Sequence, residues 1–354
     1  MRLRHMGRRP ASAAADGGAD SPRRRPRQPS PPSRPSPLDV SDVVSARASG
    51  GRGWPRPLKG ALGDTRTLAA ERLSPAAVAG RASRFPLTGR FMLDDGSSMD
   101  AARLMSLVSP FVSADRAARF RAVAAARRFD VLPIVEGLYD RGNLGAVCRT
   151  ADALGVGAVH AVDLAAGAYR PSRGRCSAGG EKWLDVWTHA DPGACVAAAK
   201  AAGFRVAVAA AGPGAVAAHE LDWEVPTAFI VGNEAEGVSG EGGRGEGGRG
   251  EALVPPADAA NPSPPRPAAS RAAADVEVQI PMTGMVESLN VSVAAALLMQ
   301  AALARIAAVG APGLDAAEAD TMAALMLARH KAQQGRAGQA WQAPMLRELA
   351  AREG

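Results

Sequence analysis

The chain has 354 residues, 47% of them hydrophobic but only 4% aromatic, enough for one or two domains with a real core. Its net charge of +7 is uneven: residues 1–60 hold thirteen Arg and Lys against Asp16, Asp20, Asp39 and Asp42, which leaves the body near neutral. Cys148, Cys176 and Cys195 are widely spaced, with no CxxC and no His pair beside them, which argues against both a disulfide framework and a zinc site and fits a reducing compartment, so no metal is expected.

Residues 1–95 read as a basic arm, because "RRRPRQPSPPSRPSP" cannot bury enough surface to repay the entropy of ordering it. An Arg-, Ser- and Ala-rich start that is poor in acids resembles a chloroplast or mitochondrial transit peptide, although Asp16 and Asp20 weaken that reading. The alternative is a basic arm that stays attached and touches RNA.

From Ser113 the texture changes. "SADRAARFRAVAAARR" predicts a helix with Ser113 as N-cap and Phe120, Val123 and Ala124 apolar. "VLPIVEG" predicts a strand, "LGAVCRTADAL" a helix closed by Gly155, and "GAVHAVD" a second strand. "DPGACVAAAKAAG" then predicts a helix, and "FRVAVAAA" and "TAFIVG" predict strands. "VEVQIP" is a further strand, leading into the apolar helix that runs to residue 309. Such alternation indicates an α/β domain, placed at 96–310, with a mostly parallel sheet and flanking helices. The tandem "GEGGRGEGGRGE" and the Pro-rich stretch after it read as a low-complexity insertion at 240–274. Residues 311–354 form a C-terminal helical extension, with Met322, Leu325 and Met326 on one face. The segment 291–309 is interrupted by Gln300 and Arg305, so a core helix is expected rather than a membrane span.

Three junctions carry polar residues. In "DRGNLGAVCRTADALGV", Asn143 is placed to cap a helix whose buried stripe is Leu144, Val147, Cys148, Ala151 and Leu154. Arg149 lies nearly opposite that stripe, as a solvated surface charge would. In "TAFIVGNEAEGVS", a buried strand ends at Gly232 with Asn233, Glu234 and Glu236 beyond it, where open parallel sheets bind ligands. In "PMTGMVESLNVSVAAALLMQ", Ser288 and Asn290 stand where loop becomes helix and could simply be caps. A fourth segment, "GPGAVA" at 212–217, matches a dinucleotide fingerprint, but the next strand ends in Gly and Asn rather than an acid, and Pro213 sits inside the turn.

Taken in order, "NLGAVCRTADALGV", "FIVGNEAEGVS" and "IPMTGMVESLNVSVAAALL" resemble the three motifs of the SpoU (TrmH-type) RNA ribose 2′-O-methyltransferases of the SPOUT superfamily. The resemblance runs from about Ser113 to Arg305 outside the insertion, and includes "SAGGEKWLDV". It implies a deep C-terminal trefoil knot, S-adenosylmethionine as cofactor and a homodimer. It places Gly232, Ile280 and Leu289 on the cofactor, and Asn143, Arg149, Glu234, Ser288 and Asn290 at the reacting centre. Many relatives carry a hydroxyl residue where this chain has Ala209, so that contact is expected from backbone or not at all. The absence of a small N-terminal RNA-binding domain, with "ADRAARFRAVAAARR" before the first strand, favours a tRNA guanosine as substrate over rRNA. A catalytically silent RNA-binding relative would be expected to lack Arg149 or Asn290, and both are present.

Overall fold

The computed structural model describes residues 56–57, 68–93, 96–137, 141–162, 177–232, 269–333 and 351. Seven parallel strands form its centre: β5 (Val131–Glu136), β6 (Ala158–Val162), β7 (Asp185–His189), β8 (Arg205–Ala209), β9 (Val216–Ala217), β10 (Thr227–Val231) and β11 (Val276–Gln279). With β1 (Arg56–Pro57) antiparallel at the edge, the order is β1-β7-β6-β5-β10-β8-β11-β9. Strand β10 is inserted between β5 and β8, both of which precede it in the chain. The central strands β5 and β10 are buried at every position, as the unbroken apolar runs "VLPIVE" and "TAFIV" require of strands covered on both faces.

Helices cover the two faces. On one lie α4 (Arg141–Leu154) and α7 (Val291–Val309), whose Leu144, Val147, Cys148, Ala151, Ala295, Leu298 and Met299 share a core with Val131, Val135, Phe229 and Val231. On the other, Ile134, Val206, Val208 and Ile230 meet α3 (Ala114–Ala125), α5 (Pro192–Ala201) and α8 (Ala316–Gln333). The expected stripe on α4 is present. Helix α3 starts at the expected place, although the Ser113 side chain makes no capping bond.

Three expectations change. The unstructured arm was expected to reach residue 95, but a three-stranded antiparallel sheet already occupies part of it. Its strands are β2 (Leu68–Arg72), β3 (Leu87–Leu93) and β4 (Ser98–Asp100), with α1 (Pro75–Ala79) between the first two. Phe85, Leu87, Phe91 and Leu93 enter the main core together with Leu104 and Leu107 of α2 (Ala101–Val108). Few apolar side chains suffice there because the small sheet is buried against α8 rather than forming a core of its own. The C-terminal helix, in turn, is buried on all sides: every residue from Thr321 to Arg329 is buried, not one stripe. A capping box starts it, with Glu318 N–H donating to Asp315 Oδ1 (2.8 Å) and Asp315 N–H to Glu318 Oε2 (3.1 Å). The Glu318 carboxylate also accepts from Ser83 and Arg81, tying α8 to the turn after α1.

The insertion is shorter than 240–274 at its far end, because α6 (Ala269–Ala272) leads into β11 and Arg271 pairs with Glu277. In agreement with the sequence reading against a dinucleotide fingerprint, Gly212–Gly214 turns into the edge strand β9 and not into a helix, so there is no helix N-terminus to present. Asp185 of β7 binds Arg72 of β2 through Nη1 (3.1 Å) and Nη2 (2.6 Å), and the guanidinium stacks 4.5 Å from the Trp187 ring. That clamp joins the small sheet to the large one.

Candidate functional site

Strands β5, β6 and β7 step outward in one direction, and β10, β8 and β11 lie on the other side of β5. The carboxyl ends of parallel strands at such a reversal form the crevice in which this architecture holds ligands. Ala209 ends β8, Gly232 follows β10 and Ile280 follows β11; all three are half-buried. Ala209 and Ile280 pack against the same core as Val231, Val278 and Val291. Leu289, also half-buried, immediately precedes the cap of α7. The structure thus brings Ala209, Gly232 and Ile280 to three neighbouring strand ends. Small and apolar side chains there leave backbone and hydrocarbon as the surface offered, which suits an adenosine-sized ligand better than a free anion.

Asn290 is the N-cap of α7. Its Oδ1 accepts from the Ser292 N–H (2.9 Å) and from the Ser292 hydroxyl (2.6 Å). The cap fixes the amide's orientation, so Nδ2 points away from α7 and donates to Asn143 Oδ1 at 3.1 Å. Asn143 is not the cap that periodicity implied: α4 begins at Arg141, which puts Asn143 inside its first turn. Asn143 and Asn290 therefore link the starts of two helices packed side by side. Ser292 is a participant the sequence reading missed, although a hydroxyl two residues after an N-cap was a visible signal.

Arg149 stands six residues beyond Asn143, about 9 Å along the helix axis, and is exposed. What holds its stretch of helix in place is a loop. A Cβ on Gly180 would sit 3.2 Å from both the Arg149 Cα and the Cys148 carbonyl, so a side chain there would push the segment 177–183 and the helix apart by a few tenths of an ångström. Cys148 itself is buried, and burial raises its thiol well above the usual range, so it is packing rather than a nucleophile. Lys182, in the same loop, lies 4.7 Å over the Trp183 ring. Ser288 is exposed in the loop before the cap and hydrogen-bonds neither asparagine. Glu234 lies outside the described residues, as do Arg170 and Arg173. The arrangement offers two amides locked to each other, an exposed guanidinium further along the same helix as Asn143, and an apolar crevice at the strand ends.

The SpoU rRNA methylase family matches residues 131–242. The tRNA (guanosine(18)-2′-O)-methyltransferase of Escherichia coli (strain K12) is 33% identical over 184 residues, covering 52% of this chain and 67% of that enzyme. The enzyme of the same name from Thermus thermophilus is 34% identical over 184 residues, covering 52% of this chain and 79% of its own. Among solved structures, the TrmH/SpoU tRNA modifying enzyme of A. aeolicus is similar at 25% identity, over 59% of this chain and 93% of that one, with a TM-score of 0.47.

Proposed function

The chain belongs to the SpoU methylase family, and from that premise we propose that it methylates a ribose 2′-oxygen of RNA, with S-adenosylmethionine as donor and a tRNA guanosine as target. The observation that carries this reading is the Asn290–Asn143 bond, which ties the start of α7 to the start of the helix that carries the exposed Arg149. The tRNA target is supported by the relatives from Escherichia coli and Thermus thermophilus, both named for guanosine 18 of tRNA.

Ala209, Gly232, Ile280 and Leu289 would hold the cofactor, which when bound supplies an electrophilic sulfonium methyl. The protein's own task is then alignment, which can supply roughly 7–11 kcal/mol. As a planar guanidinium fork of donors, Arg149 orients the 2′-oxygen and a neighbouring phosphate rather than acting as a base. Asn290 and Asn143 hold their positions through each other, and Ser288 and Glu234 complete the reacting centre. Lys182, with Arg141, Arg170 and Arg173, meets the RNA backbone, since the body of the chain carries little net charge.

Two architectural readings go with this function. The chain leaves β11, passes through 281–290, and returns across β5 and β10 to lay α7 beside α4. This path supports a trefoil knot closed by that segment. A second copy of the chain would cover Val293 and Leu297 of α7, which are 45% and 44% exposed, together with Met282, Met285 and Val286. A homodimer through α7 also accounts for a helix long and apolar enough to cross a membrane that buries only its Val291, Ala295, Leu298, Met299, Ala302 and Ile306 side in the core.

The test uses purified full-length protein, methyl-labelled S-adenosylmethionine, and tRNA and rRNA transcripts offered separately. Label is expected on a guanosine ribose of tRNA. Arg149→Ala should lower turnover at least about 100-fold, a loss of roughly 2.7 kcal/mol in transition-state stabilisation, while cofactor affinity stays within a few-fold. Near-native turnover of that variant would refute the role given to Arg149, and label confined to rRNA would refute the tRNA assignment.

A further inference from the structure

Two strands and a helix away from the methyl-transfer site, three side chains converge that the proposed reaction does not use. His160 lies in β6 and His189 ends β7. The register pairs Val162 with His189, so His160, two residues earlier, projects from the same face of the sheet. On that face runs α5, whose first turns carry Cys195. His160 Nδ1 and His189 Nε2 are 3.2 Å apart, their ring centroids 5.0 Å apart, and the donor atoms of all three residues lie within 4.8 Å of one another. His189 is 3% exposed and Cys195 1%, with His160 half-buried beside them.

We propose that His160, His189 and Cys195 form a binding site for a borderline-soft divalent cation of the zinc type, which staples the edge of the sheet to α5. Tetrahedral zinc with two nitrogens and one sulfur needs donors separated by about 3.3–3.6 Å. The two nitrogens, 3.2 Å apart, stand just short of that spacing, and the sulfur, no more than 4.8 Å away, needs to close by at most about 1.5 Å, within reach of a χ1 adjustment. Three protein ligands leave the fourth position to water. Binding is balanced in protons. The cation takes one lone pair from His160 Nδ1 and one from His189 Nε2, so the hydrogen now shared between these atoms moves to the outer nitrogen of its ring. The Cys195 thiol gives up its proton to solvent. Burial has already stripped the imidazoles of any tendency to charge, lowering His160 to about 3 and His189 to about 4. Neutral imidazole is the form a metal binds. Burial also pushes Cys195 up to about 12, with Glu136 and Asp191 adding to the shift, so the thiol proton leaves only to a cation that compensates the buried charge. No short sequence motif announces this site. Its ligands are 29 and 6 residues apart, and the sheet brings them together.

The experiment titrates chelator-stripped full-length protein with Zn²⁺ alone and with Co²⁺ alone. One equivalent is expected to bind. The Co²⁺ form should show tetrahedral ligand-field bands and a thiolate-to-cobalt charge-transfer band. Zn²⁺ at a hundred times its Kd should raise Tm by about 5–10 °C. Cys195→Ala, whose folding is checked by circular dichroism, should abolish the charge-transfer band and weaken binding at least about 30-fold. Loss of the ligand-field bands in His189→Gln tests the nitrogen side separately. The wild-type cobalt spectrum decides the matter without any variant. A wild-type protein that takes up no Co²⁺, or a charge-transfer band that survives in Cys195→Ala, overturns the proposal and leaves a hydrogen-bonded histidine pair that serves packing only.

Discussion

Asn290 uses one amide for two purposes, and serine can replace it in only one of them. Its Oδ1 caps α7, and a serine hydroxyl caps about as well, either being worth roughly 1 kcal/mol. Its Nδ2 reaches Asn143 on another helix, and a hydroxyl that caps α7 has no second arm of that length. Asn290→Ser is therefore expected to leave Tm nearly unchanged while turnover falls more than about tenfold, or 1.4 kcal/mol. Parallel loss of melting temperature and activity would show that Asn290 is only a cap. At this scale the sequence was legible where the signal was local. Arg149 is exposed opposite the stripe Leu144, Val147, Cys148 and Ala151, as a 3.6-residue period requires. What periodicity could not reveal was that Asn143 has Asn290 as a partner. The two lie 147 residues apart, and only the resemblance to a known family put them in one place.

Two elements behave as hinges between parts. Helix α7 is buried on one side and leaves Val293 and Leu297 exposed on the other. Val293→Asp adds a charge in the first turn, where the helix dipole favours an acid, so the fold itself should survive. The expected outcome is a monomer of native circular dichroism in sedimentation equilibrium. A dimer of unchanged affinity would place the interface elsewhere. The second element is β2, whose Arg72 holds Asp185 of β7. Burial alone would raise the Asp185 pKa, but the Arg72 guanidinium and the bonds from Arg72 and Trp187 outweigh it and hold the carboxyl below its usual range. With the folded pKa below the unfolded one, this group stabilises the protein above about pH 4 and the contribution is lost as pH falls through the folded value. Arg72→Met should cost about 2–4 kcal/mol at neutral pH, because it strands a buried carboxylate. The deficit should shrink as pH falls and Asp185 takes up its proton, read as converging Tm values of wild type and variant across the acid range. The β2–β4 sheet escaped sequence reading because its alternation is short and its apolar side chains make sense only against α8. The long apolar runs of β5 and β10, by contrast, were unmistakable.

At the scale of the whole molecule, the N-terminal segment divides into a part that is dispensable and a part that is not. Deleting residues 1–54 removes no position of the described core and should leave soluble, folded protein. Deleting residues 1–95 also removes Phe85, Leu87, Phe91 and Leu93, all 6% exposed or less, and should abolish soluble expression. Equal solubility of both truncations would show that the small sheet is an ornament. The α/β class and the parallel sheet were readable from alternating segments, whereas the strand order was not, because nothing local to "TAFIVG" says that it inserts between two older neighbours. That insertion has a consequence for biosynthesis. Strands β5 and β8 leave the ribosome before β10, the strand that must separate them. For that interval the nascent chain carries two short apolar strands, each with the edge meant for β10 unpaired, an arrangement prone to wrong pairing. Release of a chain truncated near Val225 should yield aggregates rather than a half-folded enzyme. The cell's supply of this protein then depends on how those edges are guarded during the interval before β10 arrives.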